Sequence, residues 1–397
     1  MTFDWSRLTP GRVRRSLRYR INRRIAQLGE WRDWMRHQVG LPGAGCRCQR
    51  GPLAATADLR EADIVVRCYD NWVDYFEEGL RNATPGRRCV WDGVAFTRDR
   101  KVSADWHVFF NTMDSHLPFV RFRGAPRRTI FAVAEPPTMI HMPWHKAQGT
   151  DTTVLTCDPE AVERFKDEPR GYVPVPSPIR SWSVAKSYDE LKACTIAPTD
   201  KPLPLSWICS DEALLSGHRY RLAFLSALKA RVPFDLYGRG FREIPDKWPA
   251  LAPYRYSIAF ENFRGPLLMT EKLMDCFVAE TMPIYYGSPT VTDYFPAESM
   301  VIIDPDDPDV FRIIADVVAS DRWLKNRDAV LEAKRITLDE MNLFARLARF
   351  IRAEHDTVRN DAKQWMRVEQ TTLDYGLDLW DGTAGEEFAL QALTRVD

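Results

Sequence analysis

The sequence predicts an α/β protein in two halves. Three observations lead there. Apolar runs of strand length alternate with helical patterns along most of the chain, and a polar, Pro-rich stretch, GYVPVPSPIRSW (171–182), separates two such series. The 397 residues, 45% of them hydrophobic, also suffice for two cores of ordinary size.

In the first half the strand-like runs are ADIVVRCY (62–69), WHVFFN (106–111), RTIFAVAE (128–135) and TTVLTC (152–157). In the second, LPLSWICS (203–210) reads as a strand and HRYRLAFLSALKAR (218–231) as a helix. VPFDLYG (232–238) and RYSIAFEN (255–262) follow as strands, then TEKLMDCFVAET (270–281) as a helix. Strands at 282–288 and 300–305 and a helix at 309–320 come next; 322–368 reads as largely helical, and the last thirty residues are weakly patterned. No internal repeat is visible. The predicted division is a basic segment with linker (1–52), an N-terminal domain (53–190), a C-terminal domain (191–355) and a terminal helix with tail (356–397).

Composition narrows the function class. No run of about 18 apolar residues occurs, so a spanning helix is not expected. The start lacks the apolar core of a secretory signal. Eight cysteines are scattered without a disulfide-like rhythm, so the expected compartment is a reducing cytoplasm. Net charge is zero, yet residues 1–40 hold ten arginines against Asp4, Glu30 and Asp33, a surplus of +7. There Val13, Leu17, Ile21, Ile25, Leu28 and Met35 recur at helical spacing. A basic amphipathic helix of this kind, over residues 10–36, fits the surface of an anionic membrane, or equally docks on its own protein. No stacking platform or nucleic-acid motif accompanies the arginines, so nucleic acid is not an expected partner.

The helix opening at Thr270 poses the sharpest question. Thr270 can cap it, and Leu273, Met274, Phe277 and Val278 form its apolar stripe. Lys272, however, lies in the first turn, where the helix dipole disfavours a cation by about 0.3–1 kcal/mol. A bound anion removes that penalty. In open α/β sheets ligands collect at strand carboxyl ends, where helix N-termini point. The strand end at Asn262 and the helix start at Glu271 and Lys272 would share one rim, with a phosphate as the natural guest and Glu271 placed for sugar hydroxyls.

These residues carry a resemblance. The segment YRYSIAFENFRGPLLMTEKLMDCFVAETMPIYYGSP resembles the C-terminal signature of the α-1,3-fucosyltransferases, glycosyltransferase family 10, and RYRLAFLSALKARVPFDLYGRG is similar to the family's arginine-bearing helix and following strand. The resemblance implies a GT-B fold, two Rossmann-like domains facing a cleft, with a GDP-sugar as co-substrate and neither cofactor nor metal. It places Lys272 and Arg221 on the diphosphate, Glu271 on the ribose, and Asn262 and Thr270 beside the donor. Glu135, ending IFAVAE, would be the general base that deprotonates a glycan acceptor. The implied setting is surface polysaccharide or protein glycosylation. Without the resemblance, Glu135 could brace the Pro136-Pro137 turn and Arg221 would read as a surface helix residue. Two positions depart from the family: Leu268 stands where a tyrosine is usual, and Arg264 follows the Asn motif.

Other motifs carry less. Asp304-x-Asp306 matches a metal-binding pattern, but lies between a strand and a helix, where Asp caps are expected. His141 and His145 flank Pro143, and Cys46 and Cys48 lack partners at zinc spacing. Gly238 and Gly240 in YGRGFRE read as a turn whose amides, or Arg239, could touch the donor.

Overall fold

The computed structural model describes residue 59 and residues 62–69, 73–99, 102–110, 119–133, 152–164, 166–167, 172–176, 181–213, 215–358 and 364–369. The basic N-terminal segment, the weakly patterned tail, Glu135, His141, His145, Cys46 and Cys48 lie outside the described residues.

The first half contains β1 (Ile64–Tyr69), α1 (Val73–Asn82), β2 (Val90–Trp91), β3 (Val94–Thr97), β4 (Trp106–Phe110), β5 (Phe119–Gly124), β6 (Thr129–Val133), β7 (Thr153–Thr156), α2 (Pro159–Arg164) and β8 (Tyr172–Pro174). Seven of these strands form one sheet in the order β2-β3-β1-β4-β6-β7-β8, parallel except for the β2–β3 pair. Parallel strands must be covered on both faces, and β4 and β6 are buried at every residue.

After α3 (Tyr188–Ala193), the second half runs β9 (Leu203–Ile208), α4 (Ser216–Lys229), β10 (Asp235–Tyr237), β11 (Tyr254–Phe260), α5 (Glu271–Val278), β12 (Met282–Tyr286), β13 (Val301–Ile302), α6 (Val310–Ala319), α7 (Arg322–Lys325), α8 (Arg327–Asp339) and α9 (Leu343–His355). Its five strands pair parallel in the order β10-β9-β11-β12-β13. One core gathers Phe224, Leu228, Ile314 and Val310 from α4 and α6 with Trp207, Ile258 and Ile284 of the strands. Another takes in Leu273, Met274 and Phe277 of α5 and Ala333 of α8. Two parallel α/β sheets meet the GT-B expectation.

The sequence reading differs in four places. Residues 172–174, read as a Pro-rich hinge, form the edge strand β8, where prolines cost no internal ladder bond. Strands β2 and β3, too short and mixed to stand out, were not expected. Strand β5 was also not anticipated. The region 322–368, read as helical, ends in β14 (Gln364–Glu369), antiparallel to β5.

Helix α9 is the chain's return crossing. Asn342 caps it by accepting from the Phe344 amide at 3.0 Å, and Leu343, Phe344, Leu347, Ala348 and Ile351 make one buried stripe. That stripe joins the core of the first sheet: Phe344 meets Phe96 edge-on at 5.1 Å, and Trp106 donates to His355 at 3.1 Å. Fully buried Asn342 also donates to the Ala83 carbonyl at 2.8 Å. Asn342→Ala removes the cap and orphans that carbonyl, at a cost of about 2 kcal/mol. A thermal melt should fall by several degrees, and an unchanged melt would mean that α9 docks without this bond.

Candidate active site

Strand β9 is followed in sequence by β10 on one side of it and then by β11 on the other. The switch point of the second sheet therefore lies between the carboxyl ends of β9 and β11, the position at which open α/β sheets hold ligands. Helices α4 and α5 begin just beyond those two ends.

Arg221, on α4, lies across the switch point. Its guanidinium donates to Asn262 Oδ1 at 2.6 Å after β11, and to Ser210 O and Oγ at 3.1 and 3.2 Å after β9. A longer bond reaches Glu212 O. Arg221 is 5% exposed, and its Nε has no partner. The surface-residue alternative is thereby corrected: the α4 face bearing Phe224, Leu225 and Leu228 is the inward one, and it carries Arg221 inward too. Every oxygen that receives this cation is neutral, so a buried charge sits at a ligand position without a contacting counter-ion among the described residues. Desolvation makes that arrangement costly, and a bound anion would offset it.

The α4 start is pressed against the same strand end. A side chain on Gly217 would place its Cβ 1.6 Å from the Asn262 carbonyl oxygen. Glycine is thus the residue that lets α4 approach closely enough for Arg221 to reach Asn262.

Lys272 is held differently. Thr270 caps α5, its hydroxyl accepting from the Lys272 amide at 3.3 Å. The Lys272 ammonium contacts Thr270 Oγ1 at 3.0 Å, Glu261 at 3.3 Å and Glu271 at 3.5 Å, with its side chain 23% exposed. Glu261 is 1% exposed and is the residue that the sequence reading passed over. Its carboxylate accepts from the Thr270 amide at 2.7 Å and from the Thr270 hydroxyl at 2.8 Å. Its hint in the sequence was a carboxylate directly after the apolar run Ile258-Ala259-Phe260. Burial disfavours the Lys272 charge, but Glu271 and Glu261 outweigh it and raise the ammonium above its ordinary range, against Lys247 and Arg221. Burial also works against ionised Glu271, yet Lys272 and Lys247 overcome it and hold the carboxyl at about 2.

His218, likewise unanticipated, opens α4 with Nδ1 accepting from the Leu215 amide at 3.3 Å, which leaves the proton on Nε2. Burial first, then Arg221, Lys272, Arg219 and Arg239, push it down to about 4, so it is neutral at pH 7.

Gly238, expected among the donor contacts, sits in a turn. Its φ is +115°, its amide donates to Arg242 O, and its carbonyl accepts from the Phe241 amide. Arg239 pairs with Glu212 at 2.9 Å. Asp306 accepts from Tyr220 at 2.9 Å and Asp304 caps the Asp306 amide. Among the described residues no group of three His, Cys, Asp or Glu is placed to hold a metal, and no helix is long and apolar enough to cross a membrane.

Arg221, Asn262, Thr270, Glu271 and Lys272 fall within one matched segment. Residues 199–316 match the family model described as "Glycosyltransferase family 10 (fucosyltransferase) C-term". Among relatives, the chain is 38% identical over 58 residues to the alpha-(1,3)-fucosyltransferase FucT of Helicobacter pylori, covering 15% of this chain and 12% of the relative. It is 26% identical over 230 residues to the 3-galactosyl-N-acetylglucosaminide 4-alpha-L-fucosyltransferase FUT3 of Pan troglodytes, covering 52% and 54%. The chain thus spans an eighth to about half of these relatives' lengths. A crystal structure of an alpha1,3-fucosyltransferase aligns over 74% of this chain and 97% of its own, at 15% identity and a TM-score of 0.40.

The matched segment thus sets two cations beside the switch point, Arg221 in the second turn of α4 and Lys272 in the first turn of α5. Gly217→Ala should force α4 off β11 and separate Arg221 from Asn262. Calorimetry with inorganic pyrophosphate should then show affinity about 10-fold weaker, near 1.4 kcal/mol. Wild-type affinity in a folded variant would show that the close approach does not set the site.

Proposed function

We propose that the protein is an inverting, metal-independent glycosyltransferase that moves fucose from GDP-fucose to a hydroxyl of a glycan acceptor. The observation that carries this reading is Arg221, buried across the switch point with only neutral oxygens as acceptors among the described residues. The family 10 match of residues 199–316 points to a GDP-sugar as the anion's source.

In this reading the acceptor oxygen attacks the anomeric carbon from the face opposite GDP. The new C–O bond forms as the bond to the β-phosphate breaks, its electron pair leaving with GDP. The acceptor proton passes to the Glu135 carboxylate, the role that the family resemblance assigns it. Charge growing on the leaving diphosphate is met by Arg221, Lys272 and the positive end of the α5 dipole. Asn262 orients Arg221, and Glu271, held ionised, suits a ribose hydroxyl.

A second donor is favoured by one observation. Leu268, where the family usually carries a tyrosine, is buried at 2% exposure, and Arg264 beside the site is exposed. No aromatic hydroxyl at 268 would meet the sugar, which suits a different GDP-deoxysugar or aminodeoxysugar. Turnover with such a donor and none with GDP-fucose decides for this reading.

Two outcomes test the mechanism in a GDP-release assay. Lys272→Ala should lower turnover by about 10²–10³, the effect of losing one preorganised group at the leaving charge. A near-normal rate would reduce the helix start to a structural role. Activity should also persist in EDTA; its loss, with rescue by Mn²⁺, would return the leaving-group role to a metal ion.

A further inference from the structure

We infer that Glu261 is the positioning residue of the site: buried beneath the rim, it holds the Lys272 ammonium in place through a direct ion pair and through the shared Thr270 hydroxyl. The inference rests on the reading of Lys272 as a diphosphate contact, and deepens it.

The geometry is a relay. The Thr270 hydroxyl has one proton, and it donates it to Glu261 at 2.8 Å. Its lone pairs are thereby turned toward Lys272, whose amide and ammonium both donate to it, at 3.3 and 3.0 Å. The ammonium is anchored from below while its side chain remains 23% exposed, open to a ligand from the rim. Glu261 is itself fixed. Its amide donates to Tyr286 O at 2.8 Å, continuing the β11–β12 ladder, and Gly287 leaves the space beside its side chain, a Cβ there falling 2.6 Å from Glu261 Cγ.

Glu261 can also release the lysine. Its two bonds from Thr270, at 2.7 and 2.8 Å, are shorter than the 3.3 Å contact to Lys272. A diphosphate that draws the ammonium outward therefore leaves the buried carboxylate hydrogen-bonded, without the penalty of an orphaned charge. Glu271, on the same helix turn, pairs with Lys272 from the more exposed side. The groups facing Lys272 are thus Glu261 after β11, Glu271 and Thr270 at the start of α5, and the two repelling cations, Arg221 on α4 and Lys247 before β11. With Glu261 neutral, those cations act on Lys272 against Glu271 alone.

Acetic anhydride labelling with mass spectrometry reads the Lys272 amine directly, without any ligand. In the full chain at pH 9, Glu261→Gln should raise the labelling rate of Lys272 about 10-fold or more. That is the gain in neutral amine when its midpoint falls by one pH unit or more on losing an opposite charge at this distance. Lys229, a lysine outside this cluster, should label unchanged, and the variant should melt like wild type because glutamine still accepts from the Thr270 amide. Restoring the carboxylate as Glu261→Asp should bring the rate back toward wild type. An unchanged Lys272 rate in a folded Glu261→Gln protein overturns the inference. Should that variant fail to fold, Glu271→Gln decides: a Lys272 midpoint that stays above the ordinary lysine value of about 10.4 without Glu271 supports the pairing with Glu261, and one at or below it overturns it. GDP provides the separate test of function. If saturating GDP fails to protect wild-type Lys272, the transferase reading falls, whereas the effect of Glu261 on the free protein is judged by the labelling alone.

Discussion

The candidate site depends on one costly arrangement, a guanidinium buried across the switch point with no carboxylate in contact among the described residues. Folding pays for Arg221 with hydrogen bonds to Ser210, Glu212 and Asn262, and those bonds tie the ends of β9 and β11 to α4. The packing around it follows. Gly217 is required so that α4 can lie against the Asn262 carbonyl, and His218 is kept neutral by burial first and by the neighbouring cations second. Lys272 is treated in the opposite manner, with two carboxylates in contact. One cation is left in want of an anion, and the other is lent by a neighbour.

Helix α5 presents its first turn accurately because both its ends are fixed. At the start stand Thr270 and Glu261. At the far end buried Lys201 donates to Ala279 O, where the helix dipole is negative, and also to Ala252 O, Tyr254 O and Thr281. Glu280, just past the helix, pairs with Lys334 of α8 at 2.8 Å, and Asp275 within it pairs with Lys247 at 2.7 Å. The helix therefore cannot slide along its axis without breaking buried polar contacts.

Much of this was legible in the sequence because it is local. The apolar spacing of Leu273, Met274, Phe277 and Val278 marks α5, and a lysine in a first turn is anomalous on electrostatic grounds alone. The strands β1, β4, β6 and β7 announce themselves as apolar runs, since parallel strands are covered on both faces. What escaped is what only the assembled fold creates. Glu261 gains its role from Thr270, nine positions away across a loop, and no periodicity marks such a pairing. By spacing alone Arg221 looks like one more helical arginine, and it was the family resemblance that singled it out. Strand β14 is defined by its partner β5, and the stripe of α9 shows an apolar face without showing which sheet it covers.

That last helix has a consequence for synthesis. Phe96 and Trp106 of the first sheet wait for Phe344 and His355, emerging well over two hundred residues later, and β5 waits equally long for β14. On the ribosome the first half must hold part of its apolar surface uncovered until the second has been made. Contacts so distant in sequence close slowly, and surface exposed in the interval is prone to association. A nascent chain arrested before residue 343 would therefore be a natural client for chaperones, even with its first sheet fully translated.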